Sequence, residues 1–111
     1  MPHVLVTIRP DGTVAPGLGR APLVGVATVT DGTLVDWQEH AVGWDTLHDE
    51  GTEGAHHARI ATFLREHEVD AVVTGRAGAG MVRMLGTMGV RLVMDVEGDA
   101  RASAVDAVAR Q

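Results

Sequence analysis

The chain reads as an α/β protein with a mostly parallel sheet and helices on both faces. Three observations predict this. Short runs rich in β-branched residues alternate with stretches of helical periodicity. The run at residues 71–74 breaks into Gly75-Arg76-Ala77-Gly78-Ala79-Gly80, and Met81, Met84, Leu85 and Met88 then fall at i, i+3, i+4 and i+7, one face of a helix. An Asp31-Gly32 turn between two strand-like runs adds a hairpin and, with it, one antiparallel strand.

Taken in order, residues 4–8 form a nearly continuous apolar run, the pattern of a strand buried on both faces. Arg9-Pro10-Asp11-Gly12 ends it with turn chemistry. Residues 13–22 hold Pro16, Gly17, Gly19 and Pro22 and read as an irregular surface loop. Residues 23–30 and 33–40 are the hairpin arms, the second alternating Val35 and Trp37 with Asp36 and Gln38. Residues 41–54 read as a long acidic connection carrying Asp45, Asp49, Glu50 and Glu53, a lid, a partner surface or a mobile loop. Thr52 is placed to cap a helix over residues 53–67 whose core face is Ile60, Phe63 and Leu64. After the methionine-faced helix, Gly89 is a C-cap and residues 90–96 form another buried strand, broken by Gly98. Asp99 caps a last helix with Ala104, Val105 and Val108 inward. The order β, β-hairpin, α, β, α, β, α fits one domain over residues 1–111, with a five-stranded sheet and no internal repeat.

Composition narrows the function classes. With 45% hydrophobic residues in 111, the chain can bury a real core. No apolar run approaches the ~18–20 residues of a membrane span, and no targeting segment is visible, so a cytoplasmic protein without a membrane partner is expected. Cysteine is absent, which removes disulfides, thiolate nucleophiles and cysteine-held iron–sulfur clusters. Nine arginines, no lysine and fifteen acids give 9 − 15 = −6, and the arginines are scattered from Arg9 to Arg110. A phosphate backbone would be repelled, and Phe63, Trp37 and Trp44 offer no stacking platform, so nucleic acid is an unfavourable partner.

The chemistry worth weighing lies at the glycine turn. Strand, turn and helix start at residues 71–81 point backbone N–H groups and the positive end of a helix dipole outward, a seat for an anion. The same glycines serve equally to make a tight turn. The motif is neither a Walker loop nor a full dinucleotide fingerprint. Arg20 and Arg76 each lie in a glycine-rich loop at the expected carboxyl edge of the sheet, where open α/β folds bind ligands. The competing reading is two solvated arginines. His56 and His57 open the first helix on the border of its apolar face, as anion partners, metal ligands or caps. With His48 and Glu53, His56 could also build a divalent-metal site, although no firm ligand spacing is present. Met81, Met84 and Met88 are core fillers by spacing, and Met81 alone starts beside the turn.

Three features together resemble the dinitrogenase iron-molybdenum cofactor biosynthesis family, which includes NifX-like carriers and the C-terminal domain of NifB-like proteins. They are Gly19-Arg20-Ala21-Pro22 before a strand, a histidine at the start of the first helix, and D-x-V-x-x-G-x-x-G-x-G before the second. The resemblance covers about residues 4–108. It implies a ribonuclease-H-like three-layer α/β/α fold and, for some members, non-catalytic binding of an iron–sulfur–molybdenum cluster or its precursor. Arg20 stands at the arginine of the family's H-F-G-R-A pattern, with Gly19, Ala21 and Pro22 matching; Gly17 and Leu18 replace its histidine and phenylalanine. His56 matches the family's helix histidine, followed by His57, and Gly75, Gly78 and Gly80 match its glycine turn. The implied cofactor-binding set is Gly19, Arg20, His56, His57, Gly75, Arg76, Gly78, Gly80 and Met81, with His56 as metal ligand.

No enzyme is expected. Residues 4–8 carry no carboxylate for two-metal chemistry, Asp70 lies at the amino end of its strand, Asp95 stands alone, and Ser103 is the only serine. Two readings remain open. One is a carrier for an iron–sulfur or iron–molybdenum cluster, with cofactor-assembly proteins as partners; the other is a regulatory or interaction module that binds a small anion or a partner protein.

Overall fold

The computed structural model describes residues 2–110. Its elements are β1 (His3–Ile8), β2 (Leu23–Thr30), β3 (Thr33–His40), α1 (Trp44–Leu47), α2 (Glu53–Glu66), β4 (Ala71–Val73), α3 (Ala79–Met88), β5 (Arg91–Val93) and α4 (Ala100–Ala109). They build a sheet of order β3-β2-β1-β4-β5. β1 runs parallel to β4, and β4 to β5, while β2 is antiparallel to both β1 and β3. Four strands therefore point one way and β2 alone is reversed, the mostly parallel α/β arrangement that the alternation predicts.

Strand pleating sorts the core onto two faces. Leu5 and Val72 project to one side, where Ile60 and Leu64 of α2 and Met81 and Leu85 of α3 cover them. Val4, Val6, Ile8 and Val73 project to the other, under Ala100, Ala104 and Ala107 of α4. Small alanines let α4 lie close on the sheet. The result is the three-layer α/β/α architecture. No helix among the described residues is long and apolar enough to cross a membrane.

Local chemistry explains where most elements begin and end. Asp31 and Gly32 turn the β2–β3 hairpin with positive φ at both (50° and 75°). The Thr52 hydroxyl accepts from the Ala55 amide at 3.0 Å and starts α2; the Asp99 carboxylate accepts from Ala102 at 2.8 Å and starts α4. Gly89 closes α3 in the left-handed region at φ 73°.

Three expectations need correction. Residues 13–22 do not form a surface loop: Val14, Ala15, Leu18 and Ala21 are buried, Leu18 completely. Its apolar residues sit between the glycines and prolines and fold inward over the sheet edge. The connection at residues 41–54 is not free chain either. It holds the helical turn α1, whose Trp44 is buried against Phe63 and whose backbone N–H bonds to Ala21. Finally, the strand over residues 90–96 shrinks to Arg91–Val93, because Asp95 turns the chain at φ 61°.

Candidate functional site

The site is built where β1 and β4 end side by side. After Ile8 the chain reverses and pairs back on itself, with Ile8 opposite Val14 and the Ala15 amide bonded to the Thr7 carbonyl at 2.8 Å. Two buried threonines hold this return. The Thr7 hydroxyl donates to the Ala15 carbonyl at 3.1 Å, which leaves the Thr74 hydroxyl to donate to Thr7 across 2.8 Å. The loop then crosses the glycine turn: Gly17 pairs with Arg76, and the Leu18 amide bonds to the Arg76 carbonyl at 3.0 Å. Gly75 must be glycine here, since a Cβ would lie 2.7 Å from the Pro16 carbonyl oxygen.

Farther along, His56 is buried and both of its ring nitrogens are engaged. Nε2 lies 2.7 Å from the Gly19 carbonyl and Nδ1 lies 2.7 Å from an Arg59 guanidinium nitrogen, which also reaches the Leu47 carbonyl at 3.3 Å. His57 sits differently, with Nε2 3.6 Å from Glu53 and its ring against the first turn of α3, where a Cβ on Gly80 would come within 2.8 Å of it. That turn opens at Gly78 with no side-chain cap and no acidic residue, so its first amides face out unpaired by any side chain.

These features enclose a pocket of about 370 Å³ lined by Gly19, Arg20, His48, Glu53, His56, His57 and residues 78–81. A groove of about 590 Å³ continues from Gly19, Arg20 and Gly78 to Arg9 and Arg76. A third cavity of about 710 Å³ lies beyond, between Arg9 and Arg76 on one side and Asp95 and Glu97 on the other, with Gly75 at its wall. At its rim the Thr13 hydroxyl and amide hold the Asp11 carboxyl below its ordinary range.

Of the nine residues singled out in the sequence, Gly19, Arg20, His56, His57, Gly78, Gly80 and Met81 thus share one pocket. Arg76 lies in the adjoining groove and Gly75 beyond it. Met81 is also a core residue under the sheet. His48 and Glu53 reach the pocket, but no three His, Asp or Glu side chains among the described residues are arranged to hold a metal ion, so the divalent site of His48, Glu53 and His56 is not formed. Sequence reading missed Arg59, Thr7 and Thr74. Arg59 stands one helical turn after His56, and the threonines are the polar ends of apolar strands, signals that were present but unspecific.

His67, just past the end of α2, belongs elsewhere. It stacks beside Phe63 and His40, and burial, with the neighbouring His67 second, pushes the His40 imidazole below its usual value.

A family model described as dinitrogenase iron-molybdenum cofactor matches residues 3–111. The chain belongs to that family. Among solved structures, the apo form of the orange protein from Desulfovibrio gigas is similar at 23% identity and a TM-score of 0.76, over 99% of this chain and 88% of that one. The protein PH0822 is similar at 15% identity and a TM-score of 0.73, over 96% and 88%. A NifB candidate from Thermotoga, assigned to the DUF35 family, follows at 17% identity and a TM-score of 0.64, over 99% and 89%. At these identities the likeness is one of fold. No curated protein matches.

Proposed function

We propose that this chain is a single, non-catalytic cytoplasmic domain that carries an iron–sulfur or iron–molybdenum cluster, or its precursor, between cofactor-assembly proteins. One observation carries the reading: Arg20 and the uncapped start of α3 line the same pocket, and Arg76 lines the groove that continues from it. Guanidinium forks and free amides suit a polyanion. With no cysteine, and with both His56 nitrogens engaged, the chain is short of inner-sphere ligands. The fitting cargo therefore brings its own sulfide or oxide shell and is held through those outer atoms. Direct ligation by His56 would first require release of Gly19 or Arg59. Chemistry on the protein side is minimal: Ser103 donates to the Asp99 carbonyl on α4, away from the pocket, and no nucleophile–base pair faces it.

The second reading, a regulatory module that binds a small anion or a partner protein, is favoured by Gly17 and Leu18 in place of the family's histidine and phenylalanine. Anaerobic incubation with an iron–sulfur or molybdenum–sulfur cluster, desalting and metal analysis separates the two. Stoichiometric metal on the parent, lost in Arg20→Ala and Arg76→Ala, is the carrier result. A parent that retains no metal yet binds phosphate through the same arginines is the result that overturns it in favour of the module.

A further inference from the structure

Arg59 lines neither the pocket nor the groove, yet it reaches His56, which in turn meets the Gly19 carbonyl beside Arg20. A guanidinium can only donate, so the His56 Nδ1 facing it at 2.7 Å must be the ring's lone-pair nitrogen. The ring proton then sits on Nε2 and is donated to the Gly19 carbonyl, 2.7 Å away. In a planar trans peptide the carbonyl and the following N–H point in opposite directions. With the Gly19 carbonyl turned to His56, the Arg20 N–H is turned away from it, and it has no acceptor among the described residues.

We propose that Arg59 is a positioning residue of the Arg20 pocket: by fixing the His56 tautomer it holds the Gly19–Arg20 peptide in the orientation that frees the Arg20 amide for an oxyanion or sulfido anion. The inference rests on the anion-binding reading above and gives His56 a definite part in it, as a donor to protein and not as a ligand to metal. The same Arg59 nitrogen bonds the Leu47 carbonyl, so the clamp also ties the α1 turn to the site. Without Arg59 only the Gly19 carbonyl is left to favour the Nε2–H tautomer, and Nδ1 is open to take up the proton. The other tautomer would set two lone pairs, on Nε2 and on the carbonyl oxygen, against each other and release the peptide.

The test uses the full chain without ligand and then with inorganic phosphate and molybdate. Long-range proton–nitrogen NMR should show the Nε2–H tautomer of His56 in the parent and its loss in Arg59→Met, together with a shift of the Arg20 amide. Anion binding should weaken about tenfold or more in Arg59→Met and His56→Leu, the size expected for one lost bond to a charged group. His56→Gln, whose amide can donate to Gly19 and accept from Arg59, should restore the Arg20 amide position and most of the binding. A parent in the Nδ1–H tautomer overturns the proposal, as does a His56→Gln as damaged as His56→Leu. So does an Arg59→Met that keeps the tautomer and the Arg20 amide unchanged. If Arg59→Met does not fold, the parent tautomer and the glutamine rescue still decide. If neither anion binds the parent, the anion-binding reading fails, while the tautomer and the Arg20 amide shift still report on the clamp.

Discussion

Helices α2 and α4 start in one way and α3 in another. At α2 the residue before the helix is Thr52, extended at φ −89°, ψ 163°, with its hydroxyl bonded to an amide of the first turn; at α4 it is Asp99, at φ −63°, ψ 122°, doing the same through its carboxylate. At α3 it is Gly78, in the same extended backbone at φ −68°, ψ 161°, with no side chain to offer. The backbone is ready for a cap and the cap is missing. Thr52 and Asp99 spend the helix amides on stability. Gly78 leaves them open at the one start that lies between Arg20 and Arg76. A missing cap is worth about 0.5–2 kcal/mol against a polar one, less where the alternative is glycine. On the proposed anion-binding reading, α3 keeps its start unsatisfied so that a ligand can complete it.

The largest effect is expected where a substitution moves the α3 start itself. Gly75→Ala would place a Cβ 2.7 Å from the Pro16 carbonyl oxygen and 2.9 Å from its Cα, both backbone atoms that cannot rotate aside. The loop and the turn must separate, costing about 1–3 kcal/mol by the measure of overpacked sites. Urea denaturation should show that loss, and phosphate binding should fall with it, since Arg76 and Gly78 ride on the displaced turn. Unchanged stability would mean that the crossing of loop and turn is not rigid. A smaller effect is expected at the capped helices. Asp99→Ala and Thr52→Ala should each cost about 1 kcal/mol in thermal or urea unfolding. Asp99→Ala should leave phosphate binding at the α3 end untouched. A cap deletion with no cost would remove the contrast on which the reading of Gly78 depends.

Much of this contrast was legible in the sequence, for physical reasons that differ by element. Thr52, Asp99 and Gly89 mark helix ends because a cap is local chemistry acting over three or four residues. The Asp31-Gly32 hairpin is local in the same sense. Residues 13–22 misled because their prolines and glycines signal irregular backbone truly, but irregular is not the same as exposed: Leu18 and Ala21 fill the layer beneath the turn. Trp44 was hidden because a helix of four residues has no periodicity to detect. At the site, Arg20, His56 and the glycine turn could be proposed as neighbours, and the structure gathers them. What could not be read was the partner of each ring nitrogen of His56. That depends on the reach of Arg59 and on the Gly19 peptide, 37 residues away in sequence.

Gly78→Asp should change stability only slightly, but in a direction opposite to its effect on binding. A Cβ at this position meets nothing within 4 Å, and its backbone angles match those of Thr52, so an aspartate fits without strain. Its carboxylate would accept from an amide of the first turn, as the Asp99 carboxylate does, and would add negative charge at the positive end of the helix. The fold should gain a few tenths of a kcal/mol up to about 1 kcal/mol, seen as a modest rise in Tm. Phosphate binding should move the opposite way, because the new side chain occupies the amides and repels the ligand beside Arg20. Gly78→Ser separates the two causes: it supplies a cap without a charge, so it should stabilise to a similar degree and weaken binding less. If Gly78→Asp raises Tm and leaves binding intact, the open helix start is not part of the anion site, and Arg20 and Arg76 must hold the ligand alone. If stability and binding fall together, Gly78 is glycine for the turn, and the missing cap is a consequence of chain geometry with no bearing on the ligand.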